Sequence, residues 1–214
     1  MEKIIKTWAH TNIYILSLAG LCVLAYTLIN WGNMPMRQQW VGLFIVAITC
    51  HEWEETRYPG GFFTLMTGMF GVSDKTNKYN VEMAHGVVVI AIIFFAYVGF
   101  LFPRVIWLSL IPVYLGVFES FIHIMGIKIH GMKMPYTPGM ITALLMLLPA
   151  SIGIIVSVRG LTNALDWILA VIAFFVIFAL MEMSVWKCFG VKPVDFPMHA
   201  RHARAYALKN IRRK

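Results

Sequence analysis

Trp40-Val41-Gly42-Leu43-Phe44-Ile45-Val46-Ala47-Ile48-Thr49-Cys50-His51-Glu52-Trp53-Glu54-Glu55-Thr56-Arg57 is the stretch whose reading decides the fold. Its first ten residues are apolar enough to lie in lipid, and a histidine and three glutamates follow directly. On an α-helix His51 and Glu55, four apart, share a face, with Glu54 beside them. Glu52 sits about 100° round the axis and points elsewhere. So polar a cluster at the end of a membrane helix is costly unless it binds something, pairs internally or meets water.

Composition extends the membrane reading to the whole chain. Of 214 residues, 59% are hydrophobic and only 13% charged, about half the charge of a soluble domain. The three cysteines (Cys22, Cys50 and Cys188) are odd in number and far apart, which fits neither a disulfide framework nor a zinc ribbon. The expected fold is all-α: a polytopic bundle of about six transmembrane helices over residues 1–190, then a basic tail over 191–214. The spans run from about Asn12 to Trp31, from near Gln39 to the His51–Glu55 cluster, and from Val81 to Phe102. Three more run from Val105 to Ile127, from Pro138-Gly139 to Val158 with Pro149 as a kink, and from Asn163 to Trp186. No small-residue cleavage site follows the first span, so it reads as a retained helix. Tyr58-Pro59-Gly60-Gly61 breaks the second span, and Phe62 to Val72 is too short to cross and reads as interfacial or re-entrant.

Charge sets the expected orientation. Of the 18 Lys and Arg, only Arg37, Arg104 and Arg159 fall on one side of such a bundle. The positive-inside rule then puts both termini in the cytoplasm, of a bacterial-type plasma membrane. The net charge of +8 is concentrated in the tail, where Phe196 to Leu208 reads as a short interfacial helix. Charge alone, without a fold signature, gives no support to nucleic-acid binding.

That topology gathers dispersed polar residues at one depth. His51, Glu54 and Glu55 end the second span, Glu82 and His85 begin the third, and Glu119 and His123 lie one to two turns inside the end of the fourth. His51/Glu55 and Glu119/His123 are i, i+4 pairs, and Glu82/His85 has the Glu-x-x-His spacing of helical di-metal bundles. Imidazole and carboxylate ligands together suit zinc, iron or manganese. The expected ligands of one or two divalent ions, zinc or iron, are His51, Glu55, Glu119 and His123. Glu54 is the expected base and His85 a further ligand or proton donor. Plainer readings stand beside these: a solvated helix end neutralised by Arg57, a first-turn acid at Glu82, and a Glu119–His123 hydrogen bond without metal. His130 lies in a loop, His10, His199 and His202 read as interfacial, Asp166 falls at the far end, and Glu182 neighbours the site or pairs with Lys187.

His51-Glu52-Trp53-Glu54-Glu55 resembles the signature of the HXXEE domain family of integral membrane proteins. His123 and Tyr136-Thr137-Pro138-Gly139-Met140-Ile141-Thr142 resemble that family's later histidine and Y-x-P-G-x-x-T segment. The resemblance covers about residues 40 to 145 and implies a polar, metal-dependent site without fixing a reaction. Intramembrane CAAX-type proteases share a Glu-Glu pair, but Arg57 comes two residues too early for their motif. The expected function is a metal-dependent membrane enzyme acting on a lipid or other hydrophobic substrate, with hydrolysis ahead of oxidation or hydroxylation. A non-enzymatic ion or metal transporter and an immunity-type membrane protein are the alternatives.

Overall fold

Long apolar runs set the element count. In the computed structural model, which describes residues 2–212, they become eight helices. These are α1 (Glu2–Ile29), α2 (Met36–Thr56), the short α3 (Phe62–Phe70) and α4 (Lys78–Leu101). After them come α5 (Ile106–Ile129), α6 (Met140–Ser157), α7 (Ala164–Cys188) and α8 (Phe196–Arg212). The all-helical expectation holds, and no strand occurs among the described residues. Five helices (α1, α4, α5, α6 and α7) are long and apolar enough to cross a membrane, which marks an integral membrane protein. Their outer faces are apolar and exposed, as at Leu18 and Leu28 on α1 and Phe175 and Leu180 on α7.

The expected second span, α2, is not among those five, because polar residues dilute both its ends. It lies instead inside the bundle, packed against α1, α4 and α6. Protein rather than lipid therefore surrounds its polar groups, and those at its start bond backbone carbonyls. Arg37 donates to the Pro103 carbonyl, Gln38 to Phe100 at 3.0 Å and Gln39 to Trp31 at 2.7 Å. Where α1 crosses α2, a Cβ on Gly42 would sit 2.5 Å from Thr27 Oγ1, so this helix pair needs a glycine at the contact.

Two helices change pitch. α4 contains a π turn at Ile93–Tyr97, and α6 contains another at Ala143–Leu147, just ahead of Pro149. Proline lacks the N–H its turn requires, and a wider turn accommodates the loss. Asp166 is engaged away from the cluster, in a capping box with Asn163 at the start of α7. The segment read as interfacial is α3, and the tail helix α8 packs on α3 and α5. His199 Nδ1 and His202 Nδ1 bond the last carbonyls of α3, Phe70 at 2.8 Å and Met69 at 2.9 Å. Two of the histidines expected to be merely interfacial thus tie α8 to the bundle.

Candidate metal centre

Helical spacing puts His51 over Glu55 on α2 and Glu119 beneath His123 on α5. The fold brings those two faces together. One nitrogen or oxygen from each of the four residues lies within 4.8 Å of all the others. His123 Nε2 is 3.2 Å from Glu55 Oε1 and 3.7 Å from Glu119 Oε2. His51 Nε2 is 3.5 Å from Glu55 Oε1 and 3.9 Å from Glu119 Oε2. Ligands about 2.0–2.2 Å from a tetrahedral metal stand about 3.3–3.6 Å apart, so the cluster has the size of a coordination shell. His51 and His123 are each only 1% exposed.

The outer nitrogens fix the tautomers. His51 Nδ1 lies 3.1 Å from the Gly139 carbonyl, which only accepts, so Nδ1 carries the proton. Thr142 Oγ1, also 3.1 Å away, spends its own hydrogen on Glu54 Oε2. Thr137 Oγ1 donates to the His123 carbonyl and accepts from His123 Nδ1, both at 3.1 Å. In each neutral ring the Nε2 lone pair then faces carboxylates. That contact is repulsive unless a cation or further protons occupy the space between. Glu55 Oε1 and His123 Nε2 make no hydrogen bond despite their closeness. The donor set fits a borderline divalent ion, and two carboxylates balance its charge.

Glu54, the expected base, is engaged by four hydrogen bonds. Its Oε1 accepts from Tyr136 Oη at 2.9 Å and Ile141 N at 3.1 Å. Its Oε2 accepts from Thr142 N at 2.8 Å and Thr142 Oγ1 at 2.5 Å. The carboxylate is thus committed to the first turn of α6, where unpaired N–H groups and the helix dipole favour an anion. Burial, then the bond to Glu54, pushes the Tyr136 phenol far above its usual range, so it stays a donor. His85 also stands outside the quartet. Its Nδ1 is 2.5 Å from Asn12 Oδ1 and its Nε2 3.0 Å from Glu52 Oε2. Glu52, expected to point elsewhere, thus pairs with His85. Glu82 meets His10 at 2.5 Å and faces Arg57 and Lys78. Glu182 accepts from Trp186 Nε1 at 2.8 Å, and His130 packs against Tyr206 with its pKa lowered by burial.

Sequence reasoning assigned no role to Thr137, Gly139, Thr142 or Asn12. The first three lie in the Y-x-P-G-x-x-T segment, whose regular spacing was the available signal; Asn12 gave none. Gly139 has φ +96°, and a Cβ there would lie 2.5 Å from His123 Cε1 and 2.8 Å from Glu55 Cγ. Gly139→Ala is expected to abolish metal retention, since it adds about 1–2 kcal/mol of left-handed strain to a clash in the site itself. Thr137→Val keeps the shape but removes the hydroxyl holding His123. A 10- to 100-fold weaker metal affinity is the expected result, roughly the size of losses when such supporting groups are removed, measured by competition with a chromophoric chelator.

A cavity of about 410 Å³ reaches the cluster, with His51, Glu52, Glu55 and Glu119 on its wall. Most of the remaining lining is apolar, from α3, α4, α5 and α7. A family profile described as "Protein of unknown function with HXXEE motif" matches residues 40–154, more than half of the chain and the region carrying the whole quartet. No curated protein and no solved structure matches the chain significantly.

Proposed function

The chain belongs to the HXXEE family, and from the centre described above we propose that it is a metal-dependent membrane enzyme acting on a lipid or other hydrophobic substrate. The observation that carries this reading is the pair of histidine Nε2 atoms turned towards one buried and one half-buried carboxylate at the end of an apolar cavity. His51, Glu55, Glu119 and His123 would hold the ion, which when bound supplies Lewis-acid polarisation or an activated water.

The chain's own groups supply the rest. Thr137, Thr142 and Gly139 orient the two imidazoles, and Glu54 fixes the loop that carries all three. Glu52, not Glu54, is the carboxylate free to accept a water proton, since it lines the cavity and leans on His85. This substitution keeps hydrolysis ahead of oxidation. On the positive-inside rule, the Lys/Arg-rich side that includes this end of the bundle would face the cytoplasm.

The reading is tested on metal-loaded protein reconstituted in a total lipid extract of its host, with lipids followed by mass spectrometry. Turnover of one lipid class is expected, absent in Glu52→Gln although that variant keeps its metal. Turnover unchanged by Glu52→Gln removes the base from Glu52. A metal-loaded protein that transforms no lipid points instead to ion handling.

A further inference from the structure

The cavity has a direction. On α5 Leu115 and Phe118 lie deeper than or level with Glu119; on α7 Phe178 lies one turn, about 6 Å, deeper than Glu182. On α2 Ile48 lies one turn deeper than Glu52. α4 contributes Ile92 and Phe95 at the same inner level, with Phe95 packed against Phe174 at 5.7 Å. Apolar groups therefore run from the polar cluster towards the bundle centre. Phe63 and Phe70 of α3 and Phe196 of α8 border the outer part. With a methylene about the size of a water molecule, about 30 Å³, the 410 Å³ space takes on the order of a dozen carbons, which is one chain and not two.

The charge of the wall is equally one-sided. Four glutamates and one histidine line the cavity, and no lysine or arginine does among the described residues. Lys192 belongs to an adjoining hollow, which shares Glu182, Trp186 and Phe196 with the cavity. An anionic head group would meet like charge. A cationic one finds little to attract it, since an ion would balance Glu55 and Glu119, Glu52 is paired with His85 and Glu182 is bonded by Trp186.

We infer that the cavity binds a single-chain amphiphile with an uncharged, oxygen-bearing head group, such as a long-chain alcohol, aldehyde or ester. The head lies at the His/Glu cluster and the chain between α4, α5 and α7. This inference rests on the proposed function for its reacting end, while the chain-binding part stands on the cavity alone.

Photolabelling in lipid nanodiscs with a diazirine-bearing long-chain alcohol tests it, with metal content measured on the same samples. Label is expected on Leu115–Ile122 of α5 and Phe178–Val185 of α7. Hexadecanol should suppress it at least about fivefold better than palmitate or hexadecylamine, a clear affinity difference. Val88→Phe and Ala179→Phe, which add bulk to the wall without touching the quartet, should each lower labelling by at least about fivefold with metal retained. Stronger competition by palmitate or the amine overturns the head-group assignment. Label confined to lipid-facing positions such as Leu18 and Phe175, unchanged in both variants, overturns the binding site even if metal is present. Cavity labelling in a wild type that holds no metal sinks the enzyme reading and leaves the amphiphile site standing.

Discussion

Purified without chelator, the wild-type protein is expected to carry about one equivalent of zinc, iron or manganese, and His51→Ala and His123→Ala are each expected to lose it. The size of the effect follows from the geometry. Each histidine gives one Nε2 to a site whose four donors lie within 4.8 Å of one another. Losing either leaves three donors and two carboxylates, one buried and one half-buried, with less to neutralise them, a loss well beyond the 10- to 100-fold cost of disturbing a supporting group. Because both residues contribute to one site, the double variant should lose no more metal than either single one. Metal retained by both single variants would exclude the shared centre. Binding should also release roughly one to two protons per ion, since an apo cluster can stay neutral only with extra protons on its histidines or carboxyls. Affinity is therefore expected to fall as pH falls, which titration calorimetry in buffers of different ionisation enthalpy reads directly. Zinc would favour hydrolysis and iron oxidation.

The second large effect concerns Glu54. Glu54→Ala removes the acceptor of four hydrogen bonds and strands the N–H groups of Ile141 and Thr142 in a partly buried place. A loss of about 2–4 kcal/mol is expected, seen as a lower melting temperature in detergent together with lost metal. Glu54→Gln keeps an acceptor and should recover much of the stability. A catalytic base would behave in the opposite way, with full stability, full metal and no turnover. Thermal melts and metal content of the two variants separate the roles before any substrate is known.

Comparison of α2 with its neighbours shows how far the sequence alone reached. Helical periodicity is local, so the i, i+4 pairs His51/Glu55 and Glu119/His123 could be read from spacing. Hydropathy is additive over a window, so five spans and the short α3 could be read as well. The burial of α2 could not be, because its end residues look costly until Pro103, Phe100 and Trp31 supply carbonyls from other elements.

The functions of the three glutamates of the motif were likewise a tertiary matter. The sequence puts Glu52, Glu54 and Glu55 within four residues, each on its own bearing round one helix. Which bearing meets a histidine, which meets a helix N-terminus and which meets a second histidine depends on what packs against α2. Glu55 faces α5, Glu52 faces His85 on α4, and Glu54 faces the first turn of α6. The sequence by itself determined a membrane helix bundle and a quartet of ligand types at helical spacing, because both follow from local chemistry. Only the tertiary structure decided that Glu54 bonds the first turn of α6 while Glu52 lines the cavity, because a side chain's surroundings are set by the partner it meets.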